Sequence, residues 1–304
     1  MLRNDMERYV ALHQACGFKF CNPRTLLRSF VAFAESSGDE YVRADRALAW
    51  AVLGPSGPQR RRRLNTVRKF ALEMRVEDER HEVPTKDALG RGGYKRRPPY
   101  IYTPDEISRL ITAAMALNPQ GMIRPRMYAT LLGLLASTGL RISEALGLRF
   151  EDITHDGLRI VETKFRKSRL VPLHDTTRQA MDDYLSVRAK LGILDGFLFV
   201  TTTGRRPGLA TVHDTFRELI KSAGVGHGGV RRCPRIHDLR HTFAVRSLET
   251  CPPDRISVSR HMAALSTYLG HCNVTDTYWY LEATSVILQQ IADAAELSHQ
   301  GGSR

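Results

Sequence analysis

The sequence predicts a mainly α-helical protein with a small β-sheet, divided into two domains. Three observations lead there. A chain of 304 residues exceeds what one typical core serves, and 42% hydrophobic residues are enough to build two. Apolar residues recur at helical spacing along most of the chain. Strand-like stretches are confined to one region, between about residues 158 and 200.

Residues 1–80 read as short helices. Pro23 opens one, with Leu26, Leu27, Phe30, Val31 and Phe33 as its apolar face and Gly38 as its end. Arg46–Leu53 forms another, stopped by Gly54 and Pro55. A third follows Gly57-Pro58 and carries Leu64, Val67, Phe70, Ala71 and Met74 on one face. Its first turn holds Arg60, Arg61, Arg62 and Arg63. Cations oppose the positive end of a helix macrodipole, which calls for compensation from something outside the helix. DNA phosphates would do so; a solvated charge run is the alternative.

The stretch Pro84–Tyr100 is rich in glycine and proline and carries Lys95, Arg96 and Arg97. It reads as a basic linker. Thr103-Pro104-Asp105-Glu106 is a capping box and starts a new domain. Helices then follow at Ile107–Ala114, Tyr128–Thr138, Thr176–Leu191, Thr211–Ala223, His237–Leu248 and Ser257–Leu269. The segments Leu158–Lys164 and Arg169–Leu173 read as a hairpin, and Phe197–Val200 as a short strand. The expected domains are 1–83, a linker over 84–102, 103–282, and a tail over 283–304.

The formal net charge is +13. Residues 1–99 hold 20 Lys+Arg against 12 Asp+Glu, so the first third is the more basic. Such a charge favours polyanionic partners, nucleic acid above all. The longest apolar run, near Leu131–Ala136, falls far short of the ~20 residues of a membrane span. The N-terminus lacks the apolar core of a secretion signal. Five scattered cysteines without a Cys-x-x-Cys motif indicate neither a zinc site nor a disulfide framework, and a reducing cytoplasm fits them.

Five short segments carry chemistry-bearing residues. Thr138-Gly139-Leu140-Arg141 ends a buried helix and holds Arg141 on a tight turn, which preorganises it. Glu144 braces that turn. The hairpin tip carries Lys164 and Lys167. In Ile236-His237-Asp238-Leu239-Arg240-His241, His237 and Arg240 share a helix face, a pairing suited to a phosphate. Tyr268-Leu269-Gly270-His271 follows. Nine residues later stands Tyr280, within Tyr278-Trp279-Tyr280; the two tyrosines lie about 200° apart on a helix, so one alone faces a given site.

In this order and spacing the boxes resemble those of the tyrosine recombinase (phage integrase) family. The resemblance covers roughly residues 100–285 and is most specific at Thr-Gly-Leu-Arg-x-Ser-Glu, His-Asp-Leu-Arg-His-Thr and Leu-Gly-His. It implies a helical, SAM-like core-binding domain followed by a mixed α/β catalytic domain. It implies that Tyr280 attacks a DNA phosphodiester and holds the 3′ end. Arg141 and Arg240 would bind the non-bridging oxygens, with His237 and His271 hydrogen-bonded to the same phosphate. Lys164 would be the general acid. The family often has Gly before this lysine, where Thr163 stands here, so Lys167 is a second candidate. No metal or other cofactor is implied, since the cations supply the positive charge that other nucleases take from metals. The implied partner is double-stranded DNA, held by a tetramer on paired sites, with a related recombinase as an alternative second subunit. In this family the tail commonly docks on a neighbouring protomer; packing in cis is the alternative. A type IB topoisomerase, a telomere resolvase and a DNA-binding relative without catalysis are the competing readings.

Overall fold

The structure, a computed structural model, describes residues 1–90, 98–161, 168–192, 196–226, 233–252, 255–270 and 277. The chain divides into two compact units, Met1–Arg97 and Pro98–Arg304. Among the described residues no helix is long and apolar enough to cross a membrane.

The first unit contains α1 (Leu2–Ala15), α2 (Cys21–Glu35), α3 (Ala44–Val52) and α4 (Gly57–Glu77). The helical apolar stripes read from the sequence close one core. Leu27, Phe30 and Val31 of α2 meet Trp50 of α3 and Leu64, Val67, Phe70 and Met74 of α4. Leu2, Met6, Tyr9 and Val10 of α1 complete it. Leu26 and Phe33 stay at its edge, half-buried. Phe30 meets Trp50 edge to face at 5.5 Å. Each such fully buried ring stabilises the unit by roughly 2–3 kcal/mol.

Ser56 caps α4 by accepting the Gln59 N–H at 3.4 Å, and Pro58 occupies the first turn. Two of the four arginines there have partners inside the protein. Arg60 Nε donates to the Gly54 carbonyl at 2.7 Å. Arg63 donates to the Trp50 carbonyl at 3.2 Å and lies over the Trp50 ring at 4.4 Å. The negative end of α3 therefore offsets part of the charge crowded at the positive end of α4. Arg61 and Arg62 instead line an open cleft of about 1000 Å³ with Asn65, Thr66 and Lys69; Phe18 and Phe20 are among the residues that also line it.

The second unit contains α5 (Pro104–Met115), α6 (Ile123–Thr138), α7 (Ile142–Ala145), α8 (Asp175–Ala189), α9 (Leu209–Ser222), α10 (Asp238–Glu249) and α11 (Arg255–Leu269). Its sheet is β1 (Ile153–Thr154), β2 (Gly157–Ile160) and β3 (Arg169–Val171). The capping box before α5 forms in full: Glu106 N–H donates to Thr103 Oγ1 at 3.1 Å, and Thr103 N–H donates to the Glu106 carboxylate at 2.9 Å. Helix α6 is apolar nearly all round and packs against α5, α8 and α10. It begins at Ile123 rather than Tyr128, because Pro125 fits its first turn instead of breaking it.

The sheet is antiparallel in the order β1-β2-β3, with Leu158 opposite Val171 and Ile160 opposite Arg169. The expected hairpin is thus present with a third strand, and β2 ends at Ile160, earlier than expected. The region 162–167 lies outside the described residues. Gly157 has φ +139°, and a Cβ there would stand 2.2 Å from the Val171 carbonyl oxygen. The expected strand Phe197–Val200 is instead a single bridge between Arg149 and Phe197. Its backbone is satisfied from elsewhere: the Tyr184 hydroxyl donates to the Leu198 carbonyl at 3.1 Å and accepts the Val200 N–H at 3.3 Å.

Candidate active site

The site is built where three segments end. The first is α6. It stops at Gly139, whose φ of +62° is the left-handed turn the sequence called for. A Cβ there would also collide with the Phe243 ring at 2.5 Å. Two residues on, Arg141 caps α7. Its N–H donates to Glu144 Oε2 at 3.0 Å and its guanidinium to Glu144 Oε1 at 2.7 Å.

The second segment is the start of α10. Asp238 opens the helix, where a carboxylate complements the dipole, and receives three bonds from Arg235 at 2.8–3.2 Å. Thr242, one turn on, accepts the Tyr102 N–H at 3.0 Å. The Tyr102 hydroxyl donates to the Arg235 carbonyl at 2.9 Å, and Arg246 donates to the Tyr102 carbonyl at 2.6 Å. Tyr102, the last residue of the expected linker, is therefore fully buried in the second unit. Arg240 is buried and donates to the Gly139 carbonyl at 2.7 Å and to the Leu269 carbonyl at 2.6 Å.

The third is the end of α11. Gly270 follows with φ +66°. Its carbonyl accepts from Arg141 at 3.1 Å. Arg141 and Arg240 thus bind successive carbonyls, those of Gly270 and Leu269, immediately before His271. Residues far apart in sequence converge here: Arg141, Arg240 and the Leu-Gly part of Leu-Gly-His. His237 stands at the N-cap of α10, its ring edge to face with His241 at 4.7 Å. Lys164, Lys167, His271, Tyr278, Tyr280 and the linker residues Lys95, Arg96 and Arg97 lie outside the described residues. Arg60, Arg61, Arg62 and Arg63 belong to the first unit.

The electrostatics suit an anion. Burial opposes the charge on Glu144, but hydrogen bonds from Arg169, the Arg141 N–H and the Arg141 guanidinium hold its carboxyl below the ordinary range. The His237 imidazole is pushed down to about 4 by desolvation, then by Arg240, with Asp238 opposing. Its ring is exposed, so solvent screens part of the burial effect and the cationic neighbours are the firmer cause. The ring is neutral at neutral pH in the free protein. Burial raises the Tyr268 hydroxyl to about 12, against Arg169 and Arg240, and keeps it protonated. Among the described residues no cluster of His, Cys, Asp and Glu is arranged to hold a metal ion.

Two features escaped the sequence reading. Arg169 reaches Glu144 from β3 at 2.8 Å. The strand pattern held a signal: Leu170 is exposed while Arg169 shares the inward side with buried Val171. An inward arginine calls for inward acceptors, here a carboxylate. The second feature is a pair of exposed arginines, Arg149 and Arg206, stacked on the Phe197 ring at 4.7 and 5.1 Å.

Comparison with known proteins agrees with this geometry. The sequence profile described as the phage integrase family matches residues 101–285. The chain belongs to the phage integrase family. Over 299 residues it is 34% identical to the candidate integrase/recombinase y4rB of Sinorhizobium fredii, covering 95% of each chain. It is 31% identical to the tyrosine recombinase XerD of Caulobacter vibrioides, over 83% of this chain and 78% of that one. The fold is that of lambda integrase, solved as a tetramer bound to a Holliday junction, with a TM-score of 0.62 at 18% identity over 92% of this chain and 76% of the other. This phage integrase family member is a site-specific DNA recombinase of the tyrosine type.

Proposed function

We propose that the chain cuts and rejoins double-stranded DNA through a covalent 3′-phosphotyrosyl link at Tyr280. The observation that carries this reading is the convergence of Arg141 and Arg240 on the two carbonyls that precede His271. Two guanidiniums fixed by the fold need no reorganisation when charge builds on a phosphoryl group, which is how such a site lowers a barrier.

In the reaction, the Tyr280 oxygen attacks phosphorus and its proton leaves with the assistance of His237. A neutral imidazole can take that proton. The bond from phosphorus to the 5′ oxygen breaks, and Lys164 or Lys167 protonates the leaving oxygen. Arg141, Arg240, His237 and His271 hold the non-bridging oxygens. A 5′ hydroxyl from another strand reverses the step, so the bond energy is kept and no nucleotide is consumed. The reaction calls for no metal or other cofactor.

The division of labour follows the same reading. Residues 1–83 grip DNA, with Arg61 and Arg62 in the open cleft and Lys95, Arg96 and Arg97 of the linker as further phosphate contacts. Residues 103–282 carry the chemistry. The tail, residues 283–304, serves assembly. The lambda integrase likeness supports a tetramer on paired sites, and a DNA partner fits a protein of the cytoplasm.

The test is a nicked duplex site, selected by binding from a random pool, that traps the cleaved state. A covalent adduct is expected in EDTA and is lost in Tyr280→Phe. Adduct surviving in Tyr280→Phe and lost in Tyr278→Phe moves the nucleophile. A metal requirement overturns the mechanism. Relaxation of any supercoiled plasmid without site preference makes the chain a topoisomerase.

A further inference from the structure

Glu144 sits between two arginines. Its carboxylate is 8% exposed and takes four bonds: the Arg141 N–H at 3.0 Å, the Arg141 guanidinium at 2.7 Å, and Arg169 at 2.8 and 3.3 Å. An ionised carboxylate offers about four acceptor positions, so the two arginines together fill it. With Arg169 gone, the two positions it occupies fall vacant in a buried setting.

Arg169 also lies against Gly270. A Cβ at Gly270 would stand 3.0 Å from its terminal nitrogen. Gly270 in turn presents its carbonyl to Arg141. The four residues form a closed ring: Arg169 to Glu144, Glu144 to Arg141, Arg141 to Gly270, and Gly270 back to Arg169. The ring ties β3, the α7 turn and the end of α11 together. Its energetics are not those of a simple stabiliser. Among the described residues Arg169 Nε is buried without a hydrogen-bond partner, which costs stability. A buried ion pair is weak evidence for stability and better evidence for a fixed geometry.

We propose that Arg169 is a positioning residue for strand transfer: it locks Glu144 and, through Glu144, the Arg141 guanidinium that receives the scissile phosphate. This inference rests on the proposed function above.

The test uses the full chain with Arg169→Gln and Arg169→Lys on the nicked duplex just described. Single-turnover cleavage at saturating protein is followed from pH 5.5 to 9, on a normal duplex and on one with a methylphosphonate at the scissile position. Arg169→Gln is expected to cleave about 10²-fold more slowly, the scale of one lost oxyanion contact, with DNA affinity unchanged. Its acid limb moves to higher pH, because a Glu144 freed of one guanidinium protonates sooner. The methylphosphonate removes the non-bridging charge, so it is expected to shrink the gap to wild type below about 10-fold. Arg169→Lys keeps the charge but not the fork, and falls between the two; it carries the comparison if Arg169→Gln does not fold. Wild-type rate and pH profile in the variants overturn the proposal, as does a gap undiminished on methylphosphonate. If wild type forms no adduct on the normal duplex, the proposed function fails, and this inference with it.

Discussion

The two units use arginine in opposite ways. In the first, the cluster at the start of α4 splits: Arg60 and Arg63 turn back to backbone carbonyls, while Arg61 and Arg62 line an open cleft. In the second, Arg141, Arg169 and Arg240 are drawn inward and each is anchored to fixed acceptors. A surface cation costs little and attracts a polyanion from a distance, but it is screened by salt. An inward cation is expensive to install and is held before its ligand arrives. On the proposed reading, grip and chemistry ask the same side chain for different surroundings.

Substitutions can break this contrast, beginning with the largest effect. Arg240→Met leaves the Gly139 and Leu269 carbonyls without a buried donor. Cleavage is expected to fall at least ~10³-fold, with a stability loss of about 2–4 kcal/mol by denaturant titration. Gly139→Ala comes next. It meets both the left-handed backbone and the Phe243 ring, and is expected to cost about 3 kcal/mol. Adding Phe243→Ala relieves the collision but not the backbone strain, so the Gly139→Ala effect measured in that background shrinks to about 1–2 kcal/mol.

Within α4 the contrast sharpens inside one turn. Arg61→Ala and Arg62→Ala are each expected to lower the salt dependence of DNA binding by about one phosphate contact, with Tm unchanged. Arg63→Ala is expected to lose about 1–2 kcal/mol of stability through the Trp50 carbonyl and ring. Equal salt slopes in all three variants would erase the division.

A pH experiment gives the smallest effect. His81 is buried in the first unit, and its Nδ1 accepts the Val42 N–H at 3.2 Å. Burial holds its imidazole below the ordinary value, against the pull of Asp5. The unfolded chain therefore binds this proton more readily. The stability it contributes is full above about pH 6.5 and drains as pH falls from there toward the lowered value. Thermal melts of the chain are expected to weaken over that window, and His81→Gln flattens this part of the profile.

Local features of the fold were legible in the sequence and long-range ones were not. The Thr103 capping box, the Gly139 turn and the apolar stripes of α2 and α4 depend on residues within a turn or two of each other. Of the expected site, the structure brings Arg141 and Arg240 onto successive carbonyls, while Lys164, His271 and Tyr280 lie outside the described residues. Arg169 was missed because its partner Glu144 lies 25 positions away, on another element. The strand expected at Phe197–Val200 failed for a similar reason: the Tyr184 hydroxyl supplies from α8 the bonds a ladder would have given. The α4 arginines were read against solvent and DNA, since nothing local shows that the end of α3 faces them.

Tyr102 has a practical consequence for anyone trimming this protein. Tyr102 scaffolds helix α10 from 140 positions upstream, its N–H donated to Thr242. A fragment starting at Pro98 keeps all three tethers. One starting at Thr103, where the motif suggests a clean edge, leaves the Arg235 carbonyl, the Thr242 hydroxyl and Arg246 facing an empty slot. The second compact unit begins upstream of its first helix, at Pro98.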